Sequence, residues 1–97
     1  MVNLSELKYL PIYDNETALI YAIKMKRRDS FEYLYNKYSG AIWYTILQMM
    51  PDQQIASELL SDVYKEIYGK IEDYNPATER FFSWIYKIII ILAVSNN

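Results

Sequence analysis

The chain contains neither cysteine nor histidine. Without cysteine there can be no disulfide framework and no thiolate metal site. Without histidine the chain lacks the side chain that most often serves as a general base near neutral pH and most often ligates metals. The sequence also shows no glycine-rich phosphate loop and no nucleophile beside a base. We therefore predict that the protein is not an enzyme and that it holds no cofactor or metal.

Glycine and proline are also scarce, with two and three copies among 97 residues that are 53% hydrophobic. Few chain breakers and abundant apolar residues are typical of a packed helical domain rather than a disordered chain. This length provides for one small hydrophobic core. We expect a single domain over residues 1–97, in which residues 1–13 form an N-terminal extension with a short helix at about Leu4–Leu10.

The sequence lacks a long apolar run as well. The chain ends in "FFSWIYKIIIILAVSNN", whose uninterrupted apolar stretch from Ile88 to Val94 is seven residues long. A membrane-spanning helix needs about 20 residues, and Met1 is not followed by the basic and then apolar regions of a signal peptide. We expect no membrane association and a cytoplasmic location. The β-branched run also suits a strand, but its continuity with "FFSWIY" at helical spacing favours a buried helix.

Apolar residues recur at helical intervals in four segments. We predict a helix cap at Asp14 or Asn15 for the first segment and at Asp29 for the second, a left-handed end at Gly69 for the third, and a start after Thr78 for the fourth. The segment "IEDYNPATER" between the last two helices is expected to be a loop. The fold class is therefore all-α, a small bundle of three to four helices. Their expected bounds are about Glu16–Lys26, Ser30–Met50, Pro51–Gly69 and Arg80–Val94.

The net charge of −2 is unevenly distributed. The stretch 24–37 is mainly basic and the stretch 52–73 is mainly acidic. Glu58, Asp62 and Glu66 follow at intervals of four, which aligns three carboxylates on one face of the third helix. This face could be merely solvated, could hold a cation, or could dock a basic partner. Cation sites usually gather ligands from a tight loop or several elements, which speaks against the second alternative.

Three segments of the chain match a known pattern in order and spacing. The first is an aromatic "F-x-x-L-Y-x-x-Y" element, here Phe31, Leu34, Tyr35 and Tyr38. The second is "ASELLSDVY" at residues 56–64, where the pattern has "A-E-D-L-V-Q-E-V-F". The third is "FFSWIYKI" at residues 81–88, where the pattern has "F-x-x-W-L-Y-x-I". Together they cover roughly residues 16–95 and resemble region two of the bacterial extracytoplasmic-function sigma factors, the small members of the sigma-seventy family.

This resemblance implies that the third helix docks on core RNA polymerase, at the coiled coil of its β′ subunit. The positions that match the docking residues of the family are Glu58, Ser61 and Asp62. Carboxylates on a rigid helix suit this role because they can pair with arginine side chains and accelerate association. An anti-sigma factor is a further partner that the resemblance allows.

The resemblance also implies that the loop and the fourth helix hold the minus-ten element of promoter DNA as a melted single strand. Capture of a single strand needs rings or amides for the bases and cations for the phosphates. Each candidate also has a plainer interpretation, such as core packing for the tryptophan or turn chemistry for the asparagine. The candidates are Tyr74, Asn75, Arg80, Trp84 and Lys87.

The chain also departs from the family pattern. Ile89, Ile90 and Ile91 stand where the family has "A-R-N", and Ser61 replaces the usual glutamine. No helix-turn-helix domain of region four follows, so the chain is either one domain of a longer factor or a truncated relative. A second hypothesis for function is therefore a degenerate sigma-like protein-interaction module without promoter binding, which associates through an apolar face of the last helix.

Overall fold

The computed structural model describes residues 16–96. These residues form four α-helices and one short 3-10 turn, and they contain no strand. The predicted all-α bundle is confirmed, and the isoleucine run is helical. The expected helix at Leu4–Leu10 and the expected caps Asp14 and Asn15 lie outside the described residues. The elements are α1 (Glu16–Lys24), α2 (Arg28–Met49), α3 (Gln53–Lys70), the 3-10 turn (Ile71–Asp73) and α4 (Phe81–Ser95).

The core lies where α2, α3 and α4 pack against one another, and α1 covers α2 and the 3-10 turn. Each helix contributes one apolar stripe to it. Burial of a large aliphatic or aromatic side chain contributes about 1.5–3 kcal/mol relative to exposure, so these residues supply most of the driving force for folding. The fully enclosed side chains include Leu34, Ile42 and Ile46 of α2, Val63 and Ile67 of α3, and Phe81, Ile85 and Ile89 of α4.

The isoleucine run of α4 divides between the core and the surface. Ile89 is fully buried, whereas Ile91 is 64% exposed and Val94 is 65% exposed. Side chains on a helix point outward at 3.6 residues per turn, so a continuous apolar run must place some members on each side. Within residues 16–96, no helix combines the length and apolar character needed to cross a membrane.

Two predicted helix ends are wrong. Asp29 lies in the first turn of α2 and forms an ion pair of 3.0 Å with Arg27, the actual N-cap residue. Gly69 lies inside α3 with a negative φ, because the chain continues through Lys70 into the 3-10 turn. The fourth helix does start after Thr78, at Phe81, and the Thr78 hydroxyl donates a hydrogen bond of 2.9 Å to the carbonyl of Asn75 in the preceding loop.

Two helix ends have caps that the sequence analysis did not identify. Asp52 caps α3 by accepting hydrogen bonds from the backbone N–H groups of Gln54 and Ile55 at 2.9 and 3.1 Å. After α1, Lys26 adopts the left-handed conformation with φ 61°. Its N–H donates to the Ile23 carbonyl at 2.9 Å, and the next N–H reaches the Ala22 carbonyl at 3.1 Å. This is the hydrogen-bond pattern of a Schellman cap, here formed without glycine.

The division of the isoleucine run predicts opposite outcomes for the same substitution two residues apart. Ile89→Ala should lower the free energy of unfolding by about 2–5 kcal/mol, because it leaves a cavity in a close-packed core. Ile91→Ala should change it by less than about 0.5 kcal/mol, because most of that side chain is already in water. Urea denaturation followed by circular dichroism measures both. Equal losses for the two variants would contradict the placement of α4.

Candidate functional site

The outer face of α3 carries Glu58, Ser61 and Asp62, and all three residues are exposed. They lie opposite the buried stripe that includes Leu59 and Val63. Neither Glu58 nor Asp62 forms an ion pair with another described residue. The carboxylates are four positions apart, so they stand one helical turn from each other on a rigid support. We call these three residues the acidic face.

Glu66 differs from Glu58 and Asp62 because its charge is paired within the chain. Its carboxylate forms an ion pair of 2.7 Å with Lys70, one turn further along α3. The three carboxylates predicted to align therefore divide into two that remain unpaired within the described chain and one that is neutralised. No group of three acidic side chains among residues 16–96 is arranged to hold a metal ion.

A groove of about 490 Å³ runs between α2 and α3 beside the acidic face. The ring of Tyr64 lies 5.1 Å from that of Tyr35 and 6.0 Å from that of Tyr68, centroid to centroid. The Tyr68 ring continues the series with Phe31, at 4.5 Å. We call this feature the aromatic groove. It is lined by Tyr35, Ser57, Leu60, Ser61, Tyr64, Lys65 and Tyr68.

The aromatic groove was not predicted from the sequence. Tyr35, a member of the aromatic element in α2, is 49% exposed. The available signal was the pair Tyr64 and Tyr68 at a spacing of four, which places two rings on one side of α3. Burial raises the pKa of the Tyr68 hydroxyl to about 12. The pKa of Tyr64 is also raised by burial, although its hydrogen bond of 2.9 Å with Ser39 acts in the opposite sense.

The loop before α4 is fixed by Tyr74, which is only 2% exposed. Its hydroxyl donates a hydrogen bond of 2.8 Å to the Glu79 carbonyl, and its ring packs against those of Phe81 and Trp84 at 5.3 and 5.2 Å. Its own carbonyl accepts a hydrogen bond of 2.9 Å from Lys24. In this conformation the Tyr74 ring is enclosed by the protein and offers no face to a base.

Asn75 forms the turn that follows and is exposed. Its side-chain oxygen accepts a hydrogen bond of 2.9 Å from the N–H of Ala77, which is the Asx-turn chemistry expected of an asparagine before proline. The side-chain nitrogen has no hydrogen-bond partner among residues 16–96. The amide can therefore hold the turn with one atom and donate to a ligand with the other.

Arg80, Trp84 and Lys87 follow one another at intervals of four and three, which places them on one side of α4. Arg80 is exposed at the N-cap position and makes no capping bond with its side chain. Trp84 is half-buried against Tyr74, while Lys87 is exposed. We call Arg80, Trp84 and Lys87 the α4 face. It brings together three of the predicted nucleic-acid residues, with the turn of Asn75 directly before it.

Lys87 differs from a free surface lysine because it forms an ion pair with Glu79. Its ammonium lies 2.8 Å from Oε1 of Glu79. Within residues 16–96 that oxygen is shielded from solvent and has no other partner, so the contact with Lys87 is what balances its charge. The pair ties α4 back to the loop across about two helical turns.

Two lysines of the mainly basic stretch 24–37 are engaged within the fold. Lys24 donates to the Tyr74 carbonyl at 2.9 Å, and Lys26 donates to the Tyr68 carbonyl at 3.2 Å. Both ammonium groups thereby satisfy backbone oxygens around the 3-10 turn.

Further along the α4 face, Ile91 is 64% exposed and Ile90 is half-buried, so these two departures from the family pattern lie at or near the surface. Ile89, the third, belongs to the core.

Comparison with known families identifies the chain. Residues 34–95 match the family model for Sigma-70 region 2, which is more than half of the sequence. No curated protein and no solved structure matches the chain. The chain belongs to the Sigma-70 region 2 family, whose domains bind RNA polymerase, recognise the minus-ten promoter element and act in transcription without being enzymes. The match begins within α2, so α1 lies outside it.

The raised pKa of Tyr68 predicts a loss of stability in strong alkali. The unfolded chain releases this proton near pH 10, whereas the folded chain holds it until about pH 12. The free energy of unfolding should therefore be unaffected below the lower value and should fall as the pH rises between the two. Tyr68→Phe should reduce this fall. Urea denaturation across pH 8–12 measures it, with Tyr44→Phe, at an exposed position of α2, as the control that should leave the fall unchanged.

Proposed function

We propose that this chain is the region-two domain of a bacterial extracytoplasmic-function sigma factor that works in the cytoplasm. In this proposal the acidic face docks on the β′ coiled coil of core RNA polymerase, and the α4 face with Asn75 holds the melted minus-ten strand. The observation that carries it is the acidic face itself, with two exposed carboxylates that have no ion-pair partner in the described chain. The three segments that match the extracytoplasmic-function pattern support the subgroup.

Docking through the acidic face is physically reasonable because its groups are already positioned. Glu58 and Asp62 are held by a helix with a capped N-terminus and a buried opposite face. A basic partner therefore meets two preorganised carboxylates and can form charge-assisted hydrogen bonds with them. Charges of this kind mainly raise the association rate and fix the orientation of the complex.

The α4 face offers the chemistry that a single strand requires. Arg80 and Lys87 supply cations for phosphates. The N–H groups of the first turn of α4 lie at the positive end of the helix dipole, which also attracts phosphates. The exposed part of Trp84 offers a ring for base stacking, which contributes about 1–3 kcal/mol per base. The amide nitrogen of Asn75 can donate to a base edge. Tyr74 then acts as the support of this surface, because its ring fixes the loop beneath Trp84.

A second candidate function follows from the apolar end of α4. Ile91 and Val94 are both about two-thirds exposed, at and beyond the position where the family pattern has a polar residue. An exposed aliphatic surface of this kind often marks an interface with protein. A sigma-like interaction module without promoter binding would use this end of α4. Sequence-selective binding of minus-ten single strands by a chain that stays monomeric would exclude it.

Charge reversal of the acidic face tests docking on the polymerase. Glu58→Arg with Asp62→Arg should abolish binding of a β′ coiled-coil fragment in titration calorimetry, since attraction becomes repulsion at the centre of the contact. Glu72→Arg with Asp73→Arg is the matched control. It reverses the same two residue types at exposed positions of the 3-10 turn and should bind like the native chain. Binding unaffected by the first pair would refute docking through α3.

Removal of one cation from the α4 face tests the contact with DNA. Lys87→Ala should weaken binding of a single-stranded minus-ten oligonucleotide and should reduce the slope of log affinity against log salt by about 0.7, the value for one phosphate contact on a single strand. Lys65→Ala removes an exposed lysine from α3 and should leave the slope unchanged. Fluorescence anisotropy at several salt concentrations gives both slopes. Identical slopes for the two variants would count against the α4 face.

A further inference from the structure

The aromatic groove is a second feature of the surface around α3, and the proposed function does not yet use it. It borders the acidic face directly, because Ser61 belongs to both. It also remains open along the surface between α2 and α3. A protein that covers Glu58 and Asp62 must therefore also cover the adjoining edge of this groove.

The lining of the groove decides what kind of group fits it. Its floor consists of the rings of Tyr35, Tyr64 and Tyr68 together with Leu60. The Tyr64 hydroxyl already shares a hydrogen bond of 2.9 Å with Ser39, so it does not need a polar partner from the ligand. Surfaces of this composition gain free energy when an apolar or aromatic side chain displaces water from them.

The charges around the groove distinguish between possible occupants. Glu58 and Asp62 attract a basic partner to α3, but Lys65 lines the groove itself. A cationic side chain within the groove would lie beside this ammonium, and like charges in proximity are unfavourable. The arrangement therefore favours arginine or lysine on the acidic face and an uncharged side chain in the groove.

We propose that the basic helix that docks on the acidic face seats one apolar or aromatic side chain in the aromatic groove. This inference rests on the proposed docking of the β′ coiled coil and adds a specific anchor to it. Interfaces commonly concentrate their binding energy in one or a few such anchors, which fill pockets near the charged contacts. The groove thus supplies affinity, and the acidic face supplies orientation and the association rate.

Filling the groove tests the inference without removal of any core side chain. Ser57 is exposed and lines the groove, so Ser57→Phe places a ring where the anchor would lie. Ser83→Phe makes the same substitution at an exposed position of α4 and is the matched control. In calorimetric titration of the whole chain with the β′ coiled-coil fragment, Ser57→Phe should weaken binding by about tenfold or more, which corresponds to 1.4 kcal/mol. Ser83→Phe should leave the affinity unchanged.

The outcomes separate the two proposals. Binding that is abolished by the Glu58 and Asp62 charge reversal but unchanged or tightened by Ser57→Phe overturns the groove inference and leaves docking intact. Absence of binding by the native chain overturns both.

Nuclear magnetic resonance provides an independent test. Addition of the fragment should shift the ring signals of Tyr35 and Tyr68, whereas those of Tyr44 on the far side of α2 should not move. Rings of the groove that do not shift would likewise overturn the inference.

Discussion

The packing of a single ring, that of Phe81, fixes the loop before α4 and the α4 face that follows it. Phe81 is fully buried at the start of α4, where it meets Tyr38 of α2 edge-on at 5.5 Å and Tyr74 of the loop at 5.3 Å. It also stacks with Trp84 at 6.0 Å. One side chain therefore fixes the loop, the start of α4 and their distance from α2. Because interiors are close-packed, a shift of this ring would displace all of them together.

The two surfaces lie on different helices and depend on different interactions. The acidic face needs only a rigid α3, which the cap at Asp52 and the buried stripe of that helix provide. The α4 face depends instead on the loop, the aromatic cluster around Phe81 and the contact between Lys87 and Glu79. A sigma domain must hold a protein partner and a nucleic acid at the same time, and this division allows either surface to change without loss of the other.

The sequence predicted the helices well because their periodicity is local, but it could not predict which side of a stripe faces the core. Ile55 continues the spacing of four that joins the buried residues Leu59, Val63 and Ile67, yet it is 39% exposed while neighbouring Ala56 is buried. Tyr74 was predicted to face DNA. Its burial depends on tertiary contacts with Lys24 and Phe81, which no local sequence pattern reveals. The acidic face could be predicted because exposed carboxylates need no tertiary partner. Of the aromatic groove only the pair Tyr64 and Tyr68 could be predicted, because the opposite wall, Tyr35, comes from another helix.

The lysine contacts at the end of α1 have a consequence for cooperativity. Lys24 and Lys26 reach carbonyls on either side of the 3-10 turn, those of Tyr74 and Tyr68, across 50 and 42 residues of sequence. The turn and α1 are therefore joined at two points, one near each end of the turn, and should open as one unit in any partial unfolding of the domain. A helix that lies outside the residues matched by the family model thus holds in place the segment that leads through the loop into α4.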